Sequence, residues 1–458
     1  MSVPPLSLIL VAASLAVAAS ASVEAERAQP PEAARAPAAE PGAAAPWLRH
    51  AVPITGSDAA YDRLIAAISD ARFILLGESS HGTEEFYRER ARISERLIRE
   101  RGIGAVAIEG DWSPAWRVNL YVRGLGSDRN AEQALAGFRS FPQWMWPNSA
   151  FRDFVERIRA YNLTQPAERR VGVYGIDVYD LFDAADAAIA ALREADPAAA
   201  RRAQASYRCF ARYRRGTQPY GAAARRAGRS CREQAAAMLA EVRRIPRPAG
   251  TEAAERHFAM VRSAASVVAA EEYFRTAYAG SMSWNVRDQH MAQNVEEVAG
   301  HAASLSGGAG KVAVWAHNSH VGDARATAAA QRGELNLGQL MRQRHGRAAF
   351  LTGFLTYEGT VYAAPLWGGR GRVYPLRPGL RGSYSDVLRR SGIPAFSLVL
   401  RGNPEAAAAL GPKRLERAVG VVYEPRAERE NHYFDARLGE QFDAIVFIAK
   451  TKAVKPLK

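Results

Sequence analysis

Residues 73–90 read FILLGESSHGTEEFYRER. The four leading apolar residues leave no polar position on either side of the pleat, which suits a strand buried on both faces. The run stops at Gly77, and Glu78, His81, Glu84 and Glu85 follow at once. From Glu84 to Arg101, Phe86, Ile93, Leu97 and Ile98 recur near helical spacing among Arg and Glu, and Gly102 is placed to end that helix. A buried strand that ends in titratable residues and turns into a helix is a repeating unit of α/β architecture.

The same pattern recurs along the chain. Short Val/Ile/Leu-rich runs stand at RFILLGE (72–78), GAVAIEG (104–110), RVGVYGID (170–177), KVAVWAHN (311–318), AAFLTGFL (348–355), AFSLVLR (395–401) and FDAIVFIA (442–449), with helical patterns between them. The expected fold is therefore α/β, a mainly parallel sheet flanked by helices. Between residues 181 and 280 the strand signal vanishes and Ala/Arg/Glu-rich sequence reads as helices alone, an all-helical insertion forming a lobe over the cleft. After His345 the pattern turns strand-rich again, and YEGTVYAAPLWGGRGRVYPL (357–376) reads as hairpin sequence, an antiparallel margin to the sheet. No internal repeat is visible.

With 458 residues and 48% hydrophobic content, the chain has far more apolar material than one small core needs. Residues 1–21 read as a signal peptide, with an apolar stretch from Leu6 to Ala18 and an Ala19-Ser20-Ala21 cleavage pattern, though no Lys or Arg precedes it. Residues 22–46 are Ala/Pro-rich linker. The catalytic α/β domain is expected over 47–180 and 281–458, interrupted by the helical insertion at 181–280. Beyond the leader no run of about 18 apolar residues occurs, so a soluble periplasmic or secreted monomer is expected. The two cysteines, Cys209 and Cys231, either pair, which would stabilise the fold by roughly 3 kcal/mol, or remain inert thiols; their spacing does not decide between these.

The net charge is +14, and ten arginines fall between Arg201 and Arg232 with no acidic residue among them. No aromatic-rich RNA-binding signature or zinc-finger spacing accompanies them, so nucleic acid is not the expected partner. A solvated helical face is the plain reading; an anionic envelope surface is the functional one.

The chemistry lies at the strand ends. The first run delivers Glu78 and His81, the second Glu109 with Asp111 and Trp112 after it, the third Asp177, the fourth His317 with His320 three residues on. In an open parallel sheet those ends share one edge, where ligands bind. Imidazole is the natural general base near neutral pH, and a carboxylate beside it fixes its tautomer. His81 therefore reads as the base that activates water. Glu78 and Glu109 are its orienting or proton-accepting acids, and Arg90, His317 and His320 bind substrate and stabilise an oxyanion. GESSHG does not fit the G-x-S-x-G elbow of serine hydrolases. The same Glu/His cluster could instead ligate zinc or manganese, although HNSH is not the HExxH helix pattern. A metal-dependent hydrolase and a non-catalytic envelope-binding protein thus remain alternatives to an enzyme needing neither metal nor cofactor. Trp112, Trp144, Trp146 and Trp284 suit a large apolar cleft and suit a core equally.

LGESSHGTEEFYRER, AIEGDW, GIDVYD and WAHNSHVGD, in that order, with FPQWMWPN (141–148), WNVRDQHMAQN (284–294) and NHYFDARLGEQFDAIVFI (431–448), resemble the erythromycin esterase family. That family includes macrolide-inactivating hydrolases, some conferring antibiotic resistance, and succinoglycan-biosynthesis-like proteins. The resemblance implies a metal-independent carboxylic-ester hydrolase that opens a macrolactone or related small-molecule ester with activated water. It places the essential histidine at His81, the supporting acids at Glu78 and Glu109, and the remaining polar positions at Arg90, His317 and His320.

Overall fold

The computed structural model describes residues 45–213, 217–277 and 281–457, so the expected leader, and all of the expected linker but its last two residues, lie outside the described residues. The described residues hold eleven strands: β1 Val52–Pro53, β2 Phe73–Leu76, β3 Ile103–Ile108, β4 Gly172–Gly175, β5 Lys311–Trp315, β6 Ala349–Ala363, β7 Arg372–Leu376, β8 Ala395–Val399, β9 Arg414–Arg417, β10 Tyr433–Ala436 and β11 Ala444–Thr451. Nine of them form one sheet in the order β1-β8-β11-β6-β2-β5-β3-β4, with β7 paired to β6 off that path. The six strands from β11 to β4 run parallel. The contacts of β8 with β11, β1 with β8 and β7 with β6 are antiparallel, which gives the antiparallel margin that the Gly-rich turns imply.

The central strands are uninterrupted by polar residues because both faces are covered. Ile74 and Leu76 of β2, Val106 and Ile108 of β3 and Trp315 of β5 join the core on one face. Phe73, Leu75, Ala105, Ala107, Val312 and Val314 join the core on the other. This is the two-residue side-chain period of a strand, satisfied twice. The helix Glu84–Arg101 follows β2 and ends at Gly102, whose φ of 69° is the left-handed cap that glycine adopts without strain.

Two features depart from the sequence reading. The run read as ending at 355 continues without a break into the first arm of the expected hairpin, one strand of fifteen residues to Ala363: β11 pairs with it as far as Gly359, and β7 pairs with it from Gly359 to Ala363. The pair β9–β10 forms a separate two-stranded sheet from segments too polar to stand out as buried strands.

From Leu181 to Thr276 the described residues hold helices only: Leu181–Ala195, Pro197–Ala211, Thr217–Ala227, Arg232–Val242 and Thr251–Thr276. They share a core of their own around Leu181, Leu192, Phe210, Met238 and Met260. Cys209 and Cys231 form a disulfide with Cα atoms 5.9 Å apart, tying the end of the second of these helices to the start of the fourth. No helix among the described residues is long and apolar enough to cross a membrane. Thiol titration of the denatured, unreduced protein should find no free thiol and should find both after reduction; two free thiols before reduction would contradict the bridge.

Candidate active site

The loop between β2 and the helix Glu84–Arg101 is held from three sides. Val419 N–H donates to Ser79 O (2.8 Å) while His81 N–H donates to Val419 O (3.2 Å). Gly82 O accepts from Tyr362 N–H and Val454 N–H, both at 3.0 Å. A Cβ on Gly82 would stand 1.9 Å from Tyr362 O, and one on Gly77 would stand 2.1 Å from Asn318 Oδ1, so both glycines that bracket ESSH are required by close approach.

Within that loop Glu78 is fully buried. Its Oε2 accepts from Arg90 Nη2 at 2.7 Å and its Oε1 lies 2.9 Å from His81 Nδ1. A guanidinium only donates, so Glu78 serves as acceptor and takes Nδ1–H from the imidazole. The proton of the neutral ring thereby sits on Nδ1, and Nε2 presents its lone pair. Arg90 is buried too, its guanidinium carbon 4.8 Å from the ring of Tyr87 and 4.9 Å from that of Trp315. It stands in the core with Glu78 and has no exposed surface.

His317 faces His81 with ring centroids 4.9 Å apart. It caps the short helix Asn318–Val321, its Nδ1 accepting from Ser319 N–H at 3.2 Å. Burial and the neighbouring His81 hold its pKa well below the usual imidazole range. The ring is therefore neutral with its proton on Nε2, and that buried Nε2–H has no hydrogen-bond partner. The Ser79 carbonyl, which accepts from Val419 N–H, lies close enough to favour the charged ring but outside hydrogen-bond geometry to it.

Glu109, just beyond β3, is a hub. Its Oε2 accepts from His317 N–H (2.7 Å) and its Oε1 from Arg287 Nη2 (2.6 Å), with His320 Nε2 at 3.3 Å. Burial opposes its charge, but His320, Arg287 and His81 outweigh that and hold its carboxyl well below the usual range. Arg287, on the helix Ser281–Ser306, also bonds Asp177 through Nε (2.8 Å) and Nη2 (2.7 Å) and lies over the ring of Tyr179 at 5.3 Å. His320 Nδ1 meets Asp288 at 2.9 Å, and its ring stacks on Trp284 at 4.5 Å.

The six residues read from the sequence thus come together, Glu78, His81 and Arg90 in one cluster, Glu109, His317 and His320 in the adjoining one. Arg287 and Asp288 were not singled out. Both lie inside the run WNVRDQHMAQN, whose helical spacing does not say which face meets the sheet edge. Of the four tryptophans, Trp112, Trp144 and Trp146 are buried, and only the half-buried Trp284 touches a site residue directly by ring stacking. Among the described residues no group of three or more His, Cys, Asp or Glu is arranged to hold a metal ion.

Burial and Arg287, whose Nη1 lies 2.8 Å from His320 Nε2, disfavour the charged form of His320, but Asp288 and Glu109 outweigh them and push its pKa up to about 9. A raised histidine pKa contributes stability that is complete below the unfolded value near 6.5 and is lost as pH rises through about 9. Relative to His320→Asn, the wild type should lose up to about 3 kcal/mol of unfolding free energy across that window. Urea unfolding at a series of pH values checks this, and a difference that stays constant with pH would contradict it.

Three solved structures share the fold. A Bacillus cereus protein aligns with TM-score 0.73 and 19% identity over 90% of this chain and 97% of its own. A succinoglycan biosynthesis protein aligns with TM-score 0.71 and 20% identity over the same shares. The erythromycin esterase EreC, as a histidine-to-asparagine mutant in its open conformation, aligns with TM-score 0.60 and 16% identity over 85% of this chain and 93% of its own. The sequence profile of erythromycin esterases matches residues 98–451, more than three quarters of the chain, and the chain belongs to that family.

Proposed function

We propose that this chain is a carboxylic-ester hydrolase that opens a macrolactone or related ester with water activated by His81. Family membership supports ester hydrolysis in general. The observation that carries the finer reading is the facing pair of imidazoles: His81 with a bare Nε2 lone pair, His317 with an unpartnered Nε2–H, ring centroids 4.9 Å apart. One can accept a proton and the other can only donate one, which is the pairing that addition of water to a carbonyl needs.

His81 Nε2 takes a proton from water as the oxygen attacks the acyl carbon. The carbonyl oxygen, gaining charge, accepts from His317 Nε2–H. Collapse of the tetrahedral intermediate breaks the C–O bond to the alcohol, and the imidazolium of His81 returns its proton to the departing alkoxide. The product is an acid and an alcohol, joined in one hydroxy acid when the ester is a lactone, and the histidine regains its starting state. Glu78 holds the base in its tautomer and Arg90 holds Glu78, so on this reading Arg90 positions the base and does not bind substrate. Glu109 is occupied by Arg287, His320 and His317 N–H, which makes it an anchor for the second imidazole in place of a proton acceptor.

A serine nucleophile has little support. Ser79 Oγ is buried without a hydrogen-bond partner, and Ser80 Oγ bonds Thr83 Oγ1, so neither hydroxyl is joined to an imidazole. An extracytoplasmic location, periplasmic or secreted, is supported by the apolar leader and by the Cys209–Cys231 bridge, a bond that persists in oxidising compartments. Arg208, Arg212, Arg229 and Arg232, exposed around that bridge, would face an anionic envelope surface.

Replacing His81 with Asn should lower kcat at least about a hundredfold while the circular dichroism spectrum is unchanged. Single-turnover hydrolysis in oxygen-18 water should place the label in the acid product and none in the protein. Near-normal turnover by the variant, or label retained on a protein side chain, would overturn the mechanism.

A further inference from the structure

The hairpin of β6 and β7, a margin of the sheet, takes no part in the mechanism. Thr352 is the last position at which β6 pairs with β2, and the strand then runs eleven residues further, past the carboxyl edge on which the site is built. Its tip does not hang free. Tyr362 N–H donates to Gly82 O, directly beside His81. Five residues on, the ring of Trp367 lies 5.0 Å from Phe141 and 6.1 Å from Tyr179. Tyr179 follows β4, and its ring carries the guanidinium of Arg287 at 5.3 Å.

Sheet order gives this contact its meaning. Between β6 and β4 lie β2, β5 and β3, the strands that deliver Glu78 and His81, His317 and His320, and Glu109. Four inter-strand steps amount to roughly 19 Å. A loop that leaves β6 and touches a residue after β4 spans the edge on which those three strands end. The Ala364–Gly371 segment is thus placed as a roof on that side of the site.

The exposures agree with a roof. His81 is 6% exposed, whereas Leu366 and Trp367 at the tip are 44% and 41% exposed, large apolar side chains open to solvent above a nearly closed site. Gly368, at φ +77°, makes the turn immediately after the indole. Phe141, Trp367 and Tyr179 together offer aromatic surface to whatever part of a substrate projects out of the site.

We infer that Trp367 is a specificity-determining residue, packing against the apolar, ring-bearing part of an ester whose carbonyl lies between His81 and His317. The substrate class is an ester or lactone broad enough to reach from the imidazoles to the roof; a small acyl ester fills the site without meeting the indole. The identity of the reacting group rests on the hydrolase reading, while the placement of the indole does not.

Two measurements test this and separate it from the reading beneath it. The first is kcat/KM for erythromycin A and for p-nitrophenyl acetate in wild type, Trp367→Ala and Trp367→Phe. The ratio of the two should fall at least about tenfold in the alanine variant, through KM, and recover in the phenylalanine variant. A ratio unchanged by Trp367→Ala overturns the inference and leaves ester hydrolysis standing. The second is calorimetric binding of erythromycin A and a panel of ring-bearing lactones to His81→Asn, alone and combined with Trp367→Ala. Binding by the single variant that weakens in the double upholds the inference even if no ester is turned over, in which case the hydrolase reading alone falls. Failure of the single variant to bind any of these lactones overturns it.

Discussion

Glu78 is a carboxyl group with no exposed surface, placed where the first parallel strand ends, and the arrangement of the site follows from satisfying it. A buried acid must be met by donors on both oxygens, and breaking such a buried pair costs about 3–5 kcal/mol. Arg90 meets one oxygen from the following helix and His81 meets the other from the loop between. The helix can supply that arginine because Arg90 falls on its buried face, beside Tyr87 and beneath Trp315 of β5. One interaction thus joins strand, loop and helix, and it fixes which nitrogen of His81 carries the proton.

The second imidazole is set by different means. Asn318, next to His317, reaches over Gly77, donates to Phe354 O at 3.0 Å and accepts from Phe354 N–H at 3.2 Å, so the β5 loop is seated against β2 and β6 at once. Glu109 holds the His317 N–H, and Ser319 N–H holds its Nδ1. What remains is a donor inside the protein with nothing to bond, a state that costs about 1–3 kcal/mol. A fold can relieve that cost with a side chain or a carbonyl, and here neither completes the bond. Stability given up at one atom is available to a substrate oxygen that arrives there.

Much of this was legible in the sequence, for identifiable reasons. Strands covered on both faces leave an unbroken apolar run, so β2, β3, β5 and β11 announce themselves, and the parallel order places their polar followers on one edge. Glu78, His81, Glu109, His317 and His320 lie one to five positions past the strands, in loops or, for His320, in the one-turn helix Asn318–Val321, which is why they stood out against apolar neighbours. Arg287 and Asp288 did not, because a helix of mixed composition hides which of its polar residues turns inward until its packing partner is known. Arg90 was legible as a site residue, but its burial was not: spacing puts it near Glu78 without saying whether it faces solvent or core. The hairpin of 357–376 was legible from its Gly-containing turns; its unbroken join to the run at 348–355 was not, because Thr356, Tyr357, Glu358 and Thr360 lack the pattern of a buried strand.

The central claim is that His81 Nε2 and His317 Nε2–H converge on one carbonyl group. The most direct test is a crystal structure of the enzyme with a cyclic phosphonate that mimics the tetrahedral intermediate. The account predicts a non-covalent complex with one phosphonyl oxygen within hydrogen-bond distance, about 2.7–3.2 Å, of His317 Nε2 and a second equally close to His81 Nε2. A phosphonate bonded to Ser79, or bound with neither imidazole in contact, would contradict it.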